Sequence, residues 1–298
     1  METKKISLHT HSTFCDGHNS AEEMILSAIE KGFSTIGFSS HCFHPLNPEF
    51  YTNHDTLWHI PSDTIDDYVK EINRLKEKYA EKIQVLLGFE GDYLDLKGTG
   101  KATPDKKAYS CFNPDYLIGS VHFISTDKGF FSVDNKAEIV EKDLIRLYTN
   151  SKTDKPDGKA AVCDYFEAER QMLKTCNFDI IGHPDLIKLR NATLHFFDEN
   201  ETWYKDELKL TAKEIAKAGV IAEINTGAIA RGLLDDIYPS AQFLEYLKEY
   251  NVPVCVNSDA HRTEHLDAAF EKAYAAAKKT GYAELTYPAK NGLIHIPL

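Results

Sequence analysis

The chain has 298 residues, and its 42% hydrophobic and 27% charged residues are typical of a folded globular protein. Lysine and arginine total 34 against 46 aspartates and glutamates, so the formal net charge is −12. This negative charge disfavours a surface for long nucleic acids, although bound divalent cations would still admit a small phosphorylated ligand. The sequence has no apolar run long enough to span a membrane, no secretory signal and no C-x-x-C pair among its six cysteines. These features predict a cytoplasmic protein.

Short β-rich segments alternate with amphipathic helical patterns along the chain. Strands are predicted at Lys5–Leu8, Thr35–Ser39, Gln84–Phe89, Tyr116–Val121, Asp179–Gly182, Val220–Asn225 and Val254–Asn257. Helices are predicted at Ala21–Lys31, Ile65–Tyr79, Lys136–Tyr148, Val162–Thr175, Tyr204–Ala218, Ser240–Glu249 and Leu266–Thr280. The intervals 95–115 and 149–161 have no clear period and are interpreted as loop insertions. Because helical crossovers preserve strand direction, the alternation predicts one α/β domain over residues 1–298, with a parallel sheet closed into a barrel.

Almost every predicted strand leads to a side chain that can bind a metal ion. These residues are His9, His11, His41, Glu90, His122, His183, Asp259 and His261, with Asp16 in the loop after the first strand. In a parallel barrel the C-terminal ends of the strands share one face, so we expect the residues to converge on one pocket. Side chains alternate along a strand, which places both imidazoles of His9-x-His11 on the same side.

This set of residues exceeds what one tetrahedral ion needs, so we infer two or three divalent metal ions. Imidazole and carboxylate ligands suit Zn, Mn or Fe, and nothing in the sequence selects among them. A lone histidine is more often a hydrogen-bonded or exposed residue than a ligand. On that ground no role is assigned to His18, His44, His54, His59, His195, His265 and His295. Taken together, the nine residues would leave costly unpaired polar groups unless cations joined them.

The order of these motifs resembles the PHP (polymerase and histidinol phosphatase) superfamily, and most closely its monofunctional histidinol-phosphatase branch. The motifs are His9-Thr10-His11 with Asp16, Ser39-Ser40-His41, Gly88-Phe89-Glu90, Ser120-Val121-His122, Gly182-His183-Pro184-Asp185 and Ser258-Asp259-Ala260-His261. The resemblance implies a distorted seven-stranded (β/α)7 barrel with a trinuclear metal centre. By this likeness one ion is held by His9, His11, Glu90 and Asp259, a second by Glu90, His122 and His183, and a third by Asp16, His41 and His261.

The resemblance also implies hydrolysis of histidinol phosphate, a small phosphorylated substrate, in histidine biosynthesis. In this hypothesis two ions bridged by Glu90 activate a shared water, while Arg231 and the third ion neutralise the phosphoryl oxygens. Asp16, His261 or metal-bound water would supply the proton for the leaving group, a choice that the sequence leaves open. Arg190 is a second candidate for phosphate binding.

Further contacts with the substrate are expected beside the metal centre. Asp185 is expected to meet the substrate ammonium, and the segment 43–63, with Phe50, Tyr51 and Trp58, is expected to form an aromatic wall. Arg170, within a helical pattern, is interpreted as a surface charge.

Two alternative functions remain open. One is a PHP phosphoesterase that acts on nucleotides or short oligonucleotides, and the other is a non-catalytic barrel stabilised by its metals. Turnover on a panel of phosphoesters would separate the first from histidinol phosphate hydrolysis. An open coordination position would argue against the second, because structural zinc sites are usually closed. No sequence feature indicates an oligomeric state.

Overall fold

A computed structural model describes residues 4–42, 58–96, 100–149, 155–289 and 292–298. Within these residues the strands are Lys5–Ser7 (β1), Phe33–Phe38 (β2), His41–Cys42 (β3), Gln84–Asp92 (β4), Leu94–Leu96 (β5), Gly100–Ala102 (β6), Tyr116–Ser120 (β7), Phe123–Thr126 (β8), Gly129–Ser132 (β9), Ile180–Ile181 (β10), Ile221–Asn225 (β11), Val254–Asn257 (β12), Glu284–Ala289 (β13) and Gly292–Pro297 (β14). The strands β1-β2-β4-β7-β10-β11-β12 pair in that order, all in parallel, and β3 adds to β4. They form a distorted (β/α)7 barrel.

Helices surround the barrel. Within the described residues they are Ala21–Glu30 (α1), Ile65–Tyr79 (α2), Lys106–Tyr109 (α3), Ala137–Tyr148 (α4), Gly158–Thr175 (α5), Lys188–Leu194 (α6), Thr202–Ala218 (α7), Gly227–Ala230 (α8), Ala241–Glu249 (α9) and Phe270–Thr280 (α10). Helix α1 begins with a capping box, in which Ser20 and Glu23 exchange side-chain to backbone hydrogen bonds. In this part of the chain no helix is both long enough and apolar enough to cross a membrane.

The barrel closes between β1 and β12, at the ends where the strands run into the loops. Thr10 and Ala260 form a parallel bridge, and the backbone N–H of His11 donates to the carbonyl of Ala260 at 2.9 Å. Below this bridge the backbone N–H of Leu8 donates to Oδ1 of Asn257 at 2.7 Å. A side chain thus supplies a hydrogen bond that a regular ladder would supply from the backbone.

The barrel interior is filled around Tyr116. Its hydroxyl lies 2.5 Å from the carbonyl oxygen of Leu8 and 3.0 Å from that of Phe38, so it links three strands from inside. A Cβ atom at Gly88 would lie 2.4 Å from Cζ of Tyr116, and one at Gly37 would lie 2.5 Å from its hydroxyl oxygen. Glycine is therefore required at both positions, because any larger residue would overlap the tyrosine ring.

The predicted strands and helices are confirmed in kind and order, with bounds that differ by at most four residues. Within the described residues the interval 95–115 is more structured than a loop insertion, since β5 and β6 pair there in antiparallel fashion and helix α3 follows, with Asp105 accepting a hydrogen bond from the backbone N–H of Lys107. In the interval 149–161, residues 150–154 lie outside the described residues. Helix α5 begins already at Gly158, because Asp157 accepts a hydrogen bond from the backbone N–H of Ala160.

The interpretation of Arg170 as a surface charge is wrong. Its side chain is only 7% exposed and lies between α5 and α7, where Nη1 is 2.6 Å from Oε2 of Glu207. It also donates to Thr211 at 3.1 Å. The helical pattern shows which face of α5 is apolar, but it does not show that α7 packs over the edge of that face.

Candidate metal centre and substrate cavity

Nine residues meet at the C-terminal end of the barrel and form what we call the acid–histidine cluster. They are His9, His11, Asp16, His41, Glu90, His122, His183, Asp259 and His261. The cluster forms the floor of a cavity of about 610 Å³. His9 and His11 lie below the cavity surface with no exposed area, whereas Asp16 and His261 lie at the cavity wall. The residues that follow the barrel strands thus lie together at one pocket, as expected.

Glu90 lies at the centre of the cluster. Its Oε2 is 3.0 Å from Nε2 of His9 and 3.0 Å from Nδ1 of His41. Its Oε1 is 2.9 Å from Nε2 of His183 and 3.4 Å from Nε2 of His122. Oε2 also lies 3.6 Å from Nε2 of His11, so each oxygen faces at least two imidazoles, which is the arrangement a carboxylate needs to bridge two neighbouring ions.

Two aspartates extend the cluster on the side of His11. Oδ1 of Asp259 is 3.2 Å from Nε2 of His11, and Oδ2 of Asp16 is 3.2 Å from Nε2 of His261. The rings of His11 and His261 stack with their centroids 4.1 Å apart. The first and last predicted motifs are therefore adjacent in the fold, although 250 residues separate their histidines in the chain.

Several buried ligand atoms of the cluster have no hydrogen-bond partner. They include Nε2 of His9, Nε2 of His11, Nδ1 of His41, Oδ1 of Asp16 and Oε2 of Glu90. Buried polar atoms without partners are costly, and lone pairs that face one another at these distances are satisfied by a cation between them. The residues present therefore fit divalent metal ions.

The ligand atoms fall into four overlapping groups, each with its atoms within 4.8 Å of one another. The groups are His11 with Asp16, His41 and His261; His9 with Glu90 and His183; His9 with His11 and Asp259; and His41 with Asp92 and His122. The expected third site of Asp16, His41 and His261 is thus joined by His11. His122 is grouped with His41 and Asp92, whereas the family resemblance placed it with Glu90 and His183.

Opposite pKa shifts within the cluster reflect its crowded charges. Burial lowers the pKa of His41, but the carboxylates of Glu90 and Asp16 outweigh it and raise the pKa to about 9. Burial also lowers the pKa of His11, and the neighbouring imidazoles lower it further, to about 3. Without metal, the acids draw protons onto some imidazoles and not onto others, because adjacent imidazolium ions repel. Cations and protons therefore compete for this cluster.

Two cluster residues have backbone conformations that non-glycine residues rarely adopt. His183 has φ of 22° and Asp259 has φ of 48°. Each lies two residues after the end of a barrel strand, β10 for His183 and β12 for Asp259, and its side chain joins the cluster. Conformations of this kind are concentrated at functional sites, where the surrounding structure compensates for the strain.

Two buried carboxylates hold the far side of the cluster imidazoles. Oε1 of Glu223 is 2.7 Å from Nδ1 of His9, and Oδ1 of Asp92 is 2.5 Å from Nδ1 of His122. The other oxygen of Asp92 contacts Nε2 of His59. Neither carboxylate was predicted as a site residue, and no role was assigned to His59. The spacing Glu90-x-Asp92 carried the signal for Asp92, because alternate residues of a strand share a face.

Comparison with known proteins identifies the family. The PHP domain family matches residues 7–227 of the 298. The chain belongs to the PHP family. Among curated relatives, it is 28% identical to a probable histidinol-phosphatase of Schizosaccharomyces pombe over 94% of this chain and 88% of that one. It is 24% identical to the histidinol-phosphatase of Bacillus subtilis over 88% of this chain and 96% of that one.

A solved structure shares this PHP fold. It is the histidinol phosphate phosphatase of Lactococcus lactis in complex with Zn, L-histidinol and phosphate, which has a TM-score of 0.66 and 18% identity. The match covers 98% of this chain and 99% of that one. At this identity the likeness establishes the barrel architecture.

Both predicted phosphate-binding arginines line the cavity of this PHP barrel. Nη2 of Arg231 is 3.1 Å from Oδ2 of Asp259, which ties the guanidinium to the cluster. Arg190 donates from Nε to the carbonyl of Asn135 at 2.5 Å and from Nη2 to the carbonyl of Asp134 at 2.6 Å. Trp58 also lines the cavity, whereas Phe50 and Tyr51 of the expected aromatic wall lie outside the described residues.

Asp185 does not reach the cavity of the PHP barrel. Its side chain is fully buried, its Oδ2 accepts a hydrogen bond from the backbone N–H of Ser240 at 2.7 Å, and it lies 3.7 Å from Nζ of Lys188. The strand has ended by this point, since His183 has a positive φ, so strand alternation no longer decides where Asp185 points. The expected ammonium contact therefore needs another residue.

Proposed function

We propose that this protein is a metal-dependent phosphomonoesterase that hydrolyses L-histidinol phosphate to L-histidinol and phosphate, as a cytoplasmic enzyme of histidine biosynthesis. The observation that carries the proposal is the Glu90-centred cluster, which opens into a cavity lined by Arg231 and Arg190. The names of the S. pombe and B. subtilis relatives support the choice of substrate. The proposal treats residues 1–298 as one barrel domain.

The cluster residues would hold two or three divalent ions, with Zn, Mn and Fe all compatible with the ligands. When bound, such ions stabilise negative charge on phosphoryl oxygens and activate water at neutral pH. Glu90 would contribute both oxygens to the ions, because each of them faces at least two imidazoles. His9 and His11 would bind from below, where their burial excludes bulk water.

The arginines would bind and orient the phosphate. An arginine can donate two parallel hydrogen bonds to a phosphoryl group, and its charge persists at every relevant pH. Arg231 is already fixed by Asp259, so little side-chain freedom is lost when it binds an anion. Arg190 is held by two backbone carbonyls in the same way.

The leaving alkoxide needs a proton, and the Asp16–His261 pair would be suited to supply it in a centre of two ions that leaves this pair unligated. The two side chains lie 3.2 Å apart and are 32% and 15% exposed, which makes them the most solvent-accessible groups of the cluster. A group that transfers a proton at each turnover must exchange it with water, and this pair can do so at the cavity wall.

The test is phosphate release by purified protein loaded in turn with Zn, Mn and Fe. The substrates are histidinol phosphate, adenosine monophosphate, a dinucleotide and glucose 6-phosphate. We expect the highest kcat/KM for histidinol phosphate. An equal or higher value for the nucleotides would replace this substrate and keep the phosphoesterase class. Absence of turnover with every ester at full metal content would instead support the non-catalytic barrel.

A further inference from the structure

The cavity holds one acid that does not belong to the acid–histidine cluster. Of the carboxylates that line the described cavity, Asp16, Glu90 and Asp259 belong to the cluster, and Asp134 is the fourth. Asp134 is in none of the groups of ligand atoms that could hold a metal ion among the described residues. Its negative charge is therefore available for another partner in the cavity.

Asp134 lines the cavity, and one of its two carboxylate oxygens accepts a hydrogen bond from the protein. Strand β9 ends at Ser132, two residues before Asp134. The hydroxyl of Ser132 donates to Oδ1 of Asp134 at 2.6 Å. Within the described residues that hydrogen bond and the Arg190 contact to its carbonyl are the interactions that hold it. Oδ2 accepts no hydrogen bond from the part of the chain that the structure describes, so it is available to a ligand in the cavity.

The backbone of Asp134 is bound by a proposed phosphate-binding residue. Arg190 donates to the carbonyl oxygens of both Asp134 and Asn135, at 2.6 Å and 2.5 Å. The guanidinium and the turn that carries Asp134 are therefore fixed relative to each other. A ligand whose phosphate meets Arg190 would place its adjacent atoms beside Asp134.

Asp134 shares the wall of one cavity with both proposed phosphate-binding arginines and with the metal cluster. Arg190, Arg231 and His122 line the same cavity. A ligand bound there would therefore meet the arginines, the cluster and Asp134 together.

We infer that Asp134 binds the ammonium group of the substrate, an inference that rests on the proposed function. In histidinol phosphate the ammonium stands on the carbon next to the CH2–O–P unit, so its charge must lie close to the bound phosphate. Asp134 is held beside Arg190, which would bind that phosphate. The site would thereby select phosphate monoesters of 2-amino alcohols over nucleotides and sugar phosphates, which carry no cation at that position.

The test compares histidinol phosphate with 3-(imidazol-4-yl)propyl phosphate, which lacks only the amino group. The wild-type protein is expected to prefer histidinol phosphate. We expect Asp134→Asn to raise KM more than it changes kcat and to lower kcat/KM for histidinol phosphate by at least about tenfold, the loss expected for one charged contact. The ratio of kcat/KM between the two esters should fall by a similar factor. Asp143→Asn, an equal change of charge on α4, is the matched control and should leave the ratio at its wild-type value.

The possible outcomes separate this inference from the proposed function. If the wild-type protein does not hydrolyse histidinol phosphate, the proposed function fails. If it does, and Asp134→Asn keeps the wild-type ratio, Asp134 does not bind the ammonium. Metal content and melting temperature show whether the variant is intact. Should it lose metal or fail to fold, the wild-type ratio decides, since a ratio near one contradicts an ammonium contact.

Discussion

Asp92 holds His122 from the side opposite the cluster. Its Oδ1 is 2.5 Å from Nδ1 of His122, and both side chains are buried. A carboxylate at Nδ1 keeps a proton on that nitrogen, so the neutral imidazole would offer the lone pair of Nε2, which lies 3.4 Å from Oε1 of Glu90, to a metal ion. The same carboxylate contacts His59. This contact joins the end of β4 to the described residues that precede α2.

Asp92→Asn should weaken metal binding. An amide can present N–H or oxygen to Nδ1 of His122, so the tautomer is no longer imposed, and we expect about 10- to 100-fold lower metal affinity. Metal content after dialysis against a graded chelator series measures this loss independently of turnover. Glu77→Gln, at an exposed position of α2, is the control for loss of one acidic charge. A variant that keeps wild-type metal content throughout the series would contradict the positioning role.

Arg231→Lys should impair phosphate binding although it keeps the positive charge. A lysine cannot donate two parallel hydrogen bonds, so we expect about 10- to 100-fold lower kcat/KM, with more loss in Arg231→Ala. Inhibition by inorganic phosphate should weaken in parallel. Because Arg231 also contacts Asp259, metal content is measured in the same samples. Arg74→Lys on α2 is the matched control, and unchanged phosphate inhibition in Arg231→Lys would contradict the assignment.

The strand ends could be predicted from the sequence because each carries a distinctive residue. His9-x-His11 and Asp259-x-His261 follow apolar segments, and parallel strands bring such ends together. Asp92 could not be predicted in this way. It lies two residues after Glu90 on the same strand, but the predicted strand ended at Phe89. His59 lies in a long segment without a periodic sequence pattern. Its contact with Asp92 therefore could not be predicted from the sequence.

The C-terminal hairpin was also missed, for a related reason. Strands β13 and β14 pair in antiparallel fashion, and Tyr287 reaches back so that its hydroxyl donates to the carbonyl of Val256 at 3.1 Å. The alternation of Leu285 and Tyr287 with polar residues, followed by Asn291-Gly292, is typical of a hairpin. The hairpin signal lies after the seventh barrel strand, where the alternating strand and helix pattern requires no further strand.

Gly88→Ala should destabilise the barrel strongly. The new Cβ would overlap the ring of Tyr116, which cannot move away without breaking its hydrogen bonds to Leu8 and Phe38. We expect the free energy of unfolding to fall by about 3 kcal/mol or more, as for severe overpacking. Urea denaturation measures this difference. Gly32→Ala tests a glycine with free space but positive φ, and it should cost only about 1 kcal/mol. Equal losses in the two variants would contradict the packing argument.

Glu169→Gln should make the protein less sensitive to rising pH. Glu169 is almost fully buried, with Oε1 accepting a hydrogen bond from the Tyr165 hydroxyl at 3.0 Å. Burial raises its pKa well above the usual value, and Asp185 contributes to the rise, whereas Tyr165 and Arg170 oppose it. The folded state therefore retains a proton that the unfolded chain releases.

The stabilisation from this proton is complete below the pKa of an unfolded glutamate and is lost as the pH rises towards the folded pKa. Glutamine carries no such proton, so the unfolding free energy of Glu169→Gln relative to wild type should increase between pH 5 and pH 8. Urea denaturation at both pH values, at equal metal content, measures this change. Glu77→Gln is again the control and should show no such trend. A difference between Glu169→Gln and wild type that is constant with pH would mean that Glu169 is ionised in the folded protein.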